Sequence, residues 1–129
     1  MPLAAPKYPC ACCGHLVLDE GPGSYDICPI CFWEDDIVQL RDPFYPGGAN
    51  KVSLIEAQRN YLSMEVSEFR FKGHVRGAAP TELRESGWRP VSPETDNPER
   101  CKPEGGWDRE WPADSTVLYW WRPTYWRRT

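Results

Sequence analysis

The sequence lacks any long apolar run and any excess of basic charge. No stretch of the 129 residues approaches the roughly 18 apolar positions that a membrane-spanning helix needs. Residues 1–9 lack the charged region followed by an apolar core that is typical of secretory signals. Lysine and arginine number 15 against 19 acidic residues, and the net charge of −4 opposes general affinity for nucleic acid. We therefore expect a cytoplasmic protein without membrane association, in a compartment that keeps thiols reduced.

Cysteine, in contrast, is concentrated in one short segment. Five of the six cysteines lie within residues 8–36, and four of these form two Cys-x-x-Cys pairs that are 14 residues apart. Two such pairs supply four thiolates, which is the ligand set of a tetrahedral structural zinc site. The predicted ligands are Cys10, Cys13, Cys28 and Cys31.

Other uses of paired cysteines fit less well. The reducing compartment disfavours a disulfide framework. A thioredoxin-like redox pair needs a βαβ context, and nothing before residue 50 resembles a helix. Iron in a site of the rubredoxin type would use the same four ligands and stays an alternative, although no partner domain for electron transfer is visible. We therefore predict one zinc ion per chain.

The remaining cysteines and histidines are predicted to stand outside the metal site. We expect Cys12 to pack beside the site or to face solvent, and Cys101 to be a free thiol. His15 could complete a Cys₃His site, but it is expected to begin a strand, and His74 to be a surface or packing residue. Four protein ligands would fill the coordination shell of zinc, so no water could be activated on it. The site would therefore be structural, and we expect no enzymatic activity.

The pattern of the chain predicts a small α+β fold that begins with a zinc ribbon. Residues 15–18 and 25–27 are expected to form two strands joined by a turn at 21–24. A capping box formed by Ser53 and Glu56 predicts a helix over residues 54–68. Its expected buried face is apolar, and the opposite face polar. The apolar face comprises Leu54, Ile55, Tyr61, Leu62, Val66 and Phe69, and the polar face comprises Gln58, Arg59, Asn60 and Ser63.

The second half of the sequence is rich in proline and aromatic residues. A short helix is predicted from Thr81 to Ser86, followed by a loop over residues 87–112 that three tryptophans, Trp88, Trp107 and Trp111, are expected to pin to the body of the protein. Residues 115–121 have the composition of an aromatic strand. We divide the chain into a ribbon with its helix, residues 1–75, and a loop-rich extension of the same domain, residues 76–129.

The cysteine segment resembles a known family. Tyr8–Gly14 reads YPCACCG, and residues 23–36 read GSYDICPICFWEDD. These motifs, with the following residues to about 70, resemble the bacterial CPCC family of cysteine-rich proteins. Ala11 stands where the family name implies proline. The resemblance implies a small metal-binding protein and carries no particular activity.

Two segments are candidates for recognition. Trp33, Glu34, Asp35 and Asp36 directly follow the second cysteine pair, and we expect them to form an exposed acidic surface for a basic protein partner. Adjacent carboxylates usually point in different directions, so a catalytic pair is not favoured. Segment 118–128 interleaves aromatics with arginines, which could hold single-stranded nucleic acid or form a packed core strand. We favour a non-catalytic zinc-binding protein that acts through protein–protein interaction, for example as an inhibitor or immunity factor for a basic toxin. The alternatives are a nucleic-acid-associated ribbon and an enzyme with an unrecognised site.

Overall fold

A short hairpin encloses the first cysteine pair. The computed structural model describes residues 7–128, in which strand β1 (Tyr8–Pro9) pairs antiparallel with strand β2 (Leu16–Leu18). The predicted second strand at residues 25–27 is wrong, because only a single bridge forms there, between Ile27 and Glu34. That bridge encloses the second cysteine pair. Each pair therefore sits in its own small loop, and the expected hairpin between the two pairs is absent from the described chain.

The helices of the described chain are short. They are α1 (Ile37–Arg41), α2 (Leu54–Met64), α3 (Pro93–Asp96) and two 3₁₀ helices, Phe69–His74 and Ser115–Leu118. Helix α1 was not expected, since no helix was predicted before residue 50. Within residues 7–128, none of these helices has the length and apolar character required to cross a membrane.

Helix α2 begins as predicted and ends early. The Ser53 hydroxyl oxygen accepts a hydrogen bond from the Glu56 backbone N–H at 3.2 Å, which confirms the N-terminal cap. The helix stops at Met64 rather than residue 68 because Glu65 turns into the left-handed region, with φ of 63°, and its N–H bonds to the Tyr61 carbonyl.

The predicted packing of α2 is wrong at three positions. Leu62 is 61% exposed and Phe69 is 72% exposed, although both were expected to be buried. Gln58, assigned to the polar face, is fully enclosed, together with Leu54 and Ala57. The buried face is therefore rotated towards Gln58, which has specific hydrogen-bond partners in the interior, described below.

The C-terminal half consists mostly of irregular chain, as expected for the loop but not for its flanks. Residues 81–86 form a turn and a single antiparallel bridge between Arg84 and His15 instead of a helix. Residues 115–121 form a 3₁₀ turn followed by irregular chain instead of a strand. Strand-like composition is not enough when no neighbouring strand offers hydrogen bonds. The segment still contributes to the core through Leu118, Tyr119 and Trp120, which pack in one cluster with the cysteines, Trp33 and Leu54.

Candidate metal centre

The first cysteine pair forms a tight turn that requires a glycine. The Gly14 N–H donates to the Cys10 carbonyl at 2.6 Å, and the Cys10 N–H donates to the His15 carbonyl at 3.0 Å. Gly14 has a φ of +82°, and a Cβ placed on it would lie 2.6 Å from ring atoms of Trp88. Both the backbone angle and the close approach of the indole exclude a side chain here.

The second pair repeats the same hydrogen-bond pattern with a different residue at the turn. The Phe32 N–H donates to the Cys28 carbonyl at 2.8 Å, and the Cys28 N–H donates to the Trp33 carbonyl at 2.9 Å. Phe32 occupies the position of Gly14 and has a φ of 69°. A bulky residue in the left-handed region costs on the order of 1–3 kcal/mol. Contacts of its ring with Phe71, at 4.5 Å between centroids, and with His74, at 5.4 Å, offset part of that strain.

The two turns bring four sulfurs together. The Sγ atoms of Cys10 and Cys31 are 3.5 Å apart, and those of Cys13 and Cys28 are 3.7 Å apart. All four sulfurs lie within 4.8 Å of one another, and all four residues are fully buried. Zinc–sulfur bonds of about 2.3 Å in a tetrahedron place neighbouring sulfurs roughly 3.8 Å apart. The cluster therefore has the size of a metal-binding site, and its sulfurs are too far apart for disulfide bonds.

Burial makes four thiolates unfavourable without a cation. Burial raises the pKa of the Cys10 and Cys31 thiols well above the usual range. Hydrogen bonds from the neighbouring thiols lower the pKa of Cys28. A divalent cation would supply the charge that allows all four sulfurs to ionise.

The other sulfur and imidazole groups lie outside the group of four. Cys12 is fully buried, so its expected alternative of facing solvent is wrong, and Cys101 is half-buried with its N–H bonded to Asp42. The Nδ1 atom of His15 lies 2.7 Å from the Glu82 carbonyl oxygen. His74 packs against aromatic rings, as expected. Within the part of the chain that the structure describes, only the four predicted cysteines form a metal-sized group.

Residues from α2 and from the C-terminal half hold the first turn in place. The Gln58 amide donates to the Ala11 carbonyl at 3.0 Å and accepts from the Val91 N–H at 3.1 Å. Trp88 Nε1 also donates to Ala11, at 3.2 Å, and Arg84 Nε donates to the Cys13 carbonyl at 2.8 Å. The buried amide of Gln58 thus links three distant segments. A single polar residue on a helix gave no sequence signal for this role.

The expected exposed acidic surface is largely buried. Trp33, Asp35 and Asp36 are 2%, 4% and 6% exposed, and only Glu34 is partly open to solvent. Asp35 Oδ2 accepts hydrogen bonds from the N–H and hydroxyl of Ser24, both at 3.1 Å, and from the N–H of Gly23 at 2.9 Å. Burial raises the pKa of Asp35, and these hydrogen bonds oppose the shift. The carboxylate therefore orders the turn between the cysteine pairs.

Asp36 has an equally defined structural role. Its Oδ1 accepts from the N–H groups of Val38 and Gln39, at 2.8 and 3.1 Å, and so caps helix α1. Its Oδ2 accepts from the N–H of Ala49 at 2.8 Å, which fixes the loop that precedes α2. An aspartate followed by helix-compatible residues was the signal for α1 that the sequence interpretation missed. The expectation that this acid is free to meet a partner is wrong.

The aromatic–arginine segment is also engaged within the protein. Tyr119 and Trp120 are buried, and Trp120 Nε1 donates to the Arg89 carbonyl at 2.8 Å. Arg122 forms two hydrogen bonds to the Glu85 carboxylate, at 2.6 and 3.0 Å. Tyr119 and Trp120 pack in the core, so their aromatic faces are not free to stack on bases.

A buried arginine fastens the C-terminal loop to the N-terminal unit. Arg41 forms a bidentate ion pair with Glu99 at 3.1 and 3.0 Å, and its guanidinium lies 4.2 Å from the centre of the Trp107 ring and 4.5 Å from that of Trp111. Trp88, as described above, bonds to the first cysteine turn. The prediction that Trp88, Trp107 and Trp111 pin this loop to the body is therefore confirmed.

Comparison with protein families identifies the family of this chain. The sequence model of the family described as "Cysteine-rich CPCC" matches residues 8–82, which is more than half of the chain. The chain belongs to the cysteine-rich CPCC family. The match extends beyond residue 70, where the resemblance was expected to end. It stops before Arg84 and Trp88, both of which contact the first cysteine turn. Comparison with curated proteins finds no match.

Proposed function

We propose that this CPCC protein holds one zinc ion at Cys10, Cys13, Cys28 and Cys31 and acts, without catalysis, by binding another protein. The observation that supports zinc most directly is the buried group of four sulfurs, two pairs of which are 3.5 and 3.7 Å apart and all of which lie within 4.8 Å of one another. Such a site would stabilise the fold, because metal affinity and folding are coupled. Iron would accept the same four ligands and is the alternative metal.

Several features support a non-catalytic role. Four protein ligands leave no coordination position for a water or a substrate. The two carboxylates that looked available, Asp35 and Asp36, each accept three hydrogen bonds from the fold and are not free to exchange protons with a substrate. Catalysis also needs a pocket with titratable groups of separated pKa, and both of these carboxylates are buried.

The charge of the protein favours a basic partner. The net charge is −4, and four thiolates with one zinc ion would add four negative and two positive charges, giving −6. Because the predicted contact residues Trp33, Asp35 and Asp36 are buried, we assign the contact surface instead to exposed residues near the two cysteine turns. These are Tyr25 and Ile27, 57% and 47% exposed, with the exposed acids Asp19 and Glu20. An inhibitor or immunity factor for a basic toxin is one form that such a function takes.

Two measurements test the two halves of the proposal. Elemental analysis of protein purified without chelators should find about one zinc per chain, and iron would show as a red colour. Immobilised protein should retain a specific partner from its native cell, and the isolated pair should associate more slowly at high salt, where exposed charges are screened. A zinc-loaded protein that retains no partner at any salt concentration would contradict the binding role while leaving the metal site intact.

A further inference from the structure

A strap of irregular chain, residues 82–88, lies across the first cysteine turn. The Glu85 N–H donates to the Gly14 carbonyl at 2.8 Å, and the Leu83 carbonyl accepts from the Leu16 N–H at 2.9 Å. Backbone hydrogen bonds therefore join the strap both to the turn and to the strand that follows the turn.

Two side chains of the strap add further contacts with the same turn. A hydrogen bond of 3.1 Å from the Trp88 N–H to the Glu85 carbonyl closes a bend in the strap. The indole that follows this bend packs against Gly14, where a Cβ would lie only 2.6 Å from the ring. The indole Nε1 and the Nε of Arg84 also donate to backbone carbonyls of the turn, at 3.2 and 2.8 Å. The strap thus holds the turn through its backbone, a ring and a guanidinium group.

The strap is far more open to solvent than the turn that it covers. Cys10 and Cys13 are fully buried, and Ala11 between them is 2% exposed. Every residue of the strap, in contrast, is half-buried or exposed, and its secondary structure is limited to a turn and a single bridge. Local opening of a folded protein begins where the chain is irregular and its hydrogen bonds lie near solvent. The strap has both properties.

The second cysteine turn is held by chain that is itself buried. The Cys31 carbonyl accepts from the Ser67 N–H at 2.8 Å. Ser67 and its neighbours Val66 and Glu68 are 1%, 0% and 6% exposed. Opening on this side would bring buried groups into water, which costs more free energy than lifting an exposed strap. The metal centre is therefore expected to open at the first turn.

We infer that the strap controls how fast the metal bound at the four cysteines is released. All four cysteines are fully buried, so a chelator or an accepting protein reaches no sulfur until one turn opens. Lifting of the strap frees the turn that carries Cys10 and Cys13, while the second turn stays in place. The inference rests on the proposed zinc site and adds a role for residues that are not ligands, because they set the lifetime of the bound ion.

The test is the rate of zinc transfer from the zinc-loaded full chain to excess 4-(2-pyridylazo)resorcinol, followed by absorbance. Trp88→Ala and Arg84→Ala should each speed transfer about tenfold, the factor that corresponds to the loss of one hydrogen bond. Trp88→Phe keeps a ring against Gly14 without the indole N–H and should give an intermediate rate. Trp111→Ala is the matched control, because this indole packs on Arg41 instead of on a cysteine turn, and transfer should stay within about threefold of wild type.

Hydrogen exchange of the zinc-loaded protein separates lifting of the strap from global unfolding. The Glu85 amide, which bonds to Gly14 beneath the strap, should exchange faster than the Phe32 amide, which bonds to Cys28 in the second turn. Trp88→Ala should accelerate exchange at Glu85 and leave Phe32 protected. Equal acceleration at both amides would show that the variant destabilises the whole fold and would overturn the inference.

Two further results would contradict a role of the strap in metal release. One is a transfer rate in Arg84→Ala and Trp88→Phe equal to that of wild type, and these two milder changes carry the test if Trp88→Ala does not fold. The other is equally fast transfer in Trp88→Ala and Trp111→Ala. Unchanged transfer from protein that holds zinc removes the role of the strap alone, whereas wild-type protein purified without zinc removes the proposed metal site and this inference with it.

Discussion

Replacement of Asp36 by alanine should destabilise the protein strongly, although the residue belongs to an acidic run that suggests a surface. The variant removes the cap of helix α1, worth about 1 kcal/mol. It also removes the hydrogen bond from the Ala49 N–H to a charged acceptor, worth about 1.5–3 kcal/mol. Together these losses come to about 3 kcal/mol, a large share of the 5–15 kcal/mol that is typical of a domain.

Urea unfolding of the metal-loaded protein measures this loss. With a slope of about 2 kcal/mol per molar urea, the unfolding midpoint should fall by roughly 1.5 M. Asp36→Asn keeps an oxygen that can cap α1 and should recover about half of the loss. Glu20→Ala, at an exposed acid, should change stability by less than about 0.5 kcal/mol. A midpoint for Asp36→Ala within about 0.3 M of wild type would refute the structural role of this carboxylate and reopen its assignment to a partner surface.

Two further predictions concern a glycine in the first cysteine turn and a buried ion pair. Gly14→Ala should lower the thermal midpoint far more than Gly87→Ala, because both glycines have positive φ but only at Gly14 would the new Cβ lie 2.6 Å from Trp88. Similar decreases in the two variants would contradict this packing. Burial opposes ionisation of Glu99, yet its pairing with Arg41 outweighs burial and lowers the pKa. Its stabilising contribution is therefore complete above the unfolded pKa of about 4.3 and is lost as the pH falls through the lower folded pKa. Glu99→Gln should flatten the acid side of the stability profile measured by urea unfolding, and an unchanged profile would contradict the pairing.

The cysteine cluster could be predicted from the sequence because its geometry is local. A Cys-x-x-Cys turn orients two sulfurs through hydrogen bonds that span only a few residues, such as Gly14 to Cys10 and Phe32 to Cys28. The meeting of the two turns depends on the rest of the chain, as do the hydrogen bonds from Gln58, Arg84 and Trp88 to the first turn. The Ser53 cap was predictable for the same reason, since donor and acceptor are three residues apart.

Whether the acidic residues 34–36 are exposed or buried could not be predicted from these residues alone. Asp35 is buried because Gly23 and Ser24 fold back over it, and Asp36 because Ala49 approaches it. Exposure depends on such distant donors, and a run of acids looks the same on a surface or inside a hydrogen-bond network. If Asp35 and Asp36 lay in an exposed loop, charge reversal at both would leave the protein folded. Because both are buried, we expect the double reversal to unfold it.

The predictions of the buried face of α2 and of the C-terminal strand were wrong for a related reason. The apolar spacing predicted that Leu62 would be buried in the core, but Gln58 is buried instead, and its amide bridges Ala11 and Val91. The aromatic composition of residues 115–121 indicated a strand, but among residues 7–128 no strand pairs with this segment. Asp114 instead caps a 3₁₀ turn by accepting from the Thr116 N–H at 3.0 Å. Periodicity and propensity describe what a segment can bury, and tertiary partners decide what it does bury.

The most direct test of the metal centre is the zinc content of the purified protein and two cysteine variants. Protein prepared without chelators should contain about one zinc per chain by elemental analysis. Cys28→Ser should lose the metal and much of its stability, because metal binding and folding are coupled. Cys12→Ser, which changes a buried cysteine outside the group of four, should keep its metal. Wild-type protein that is folded and free of metal, with all four thiols reactive, would contradict the account.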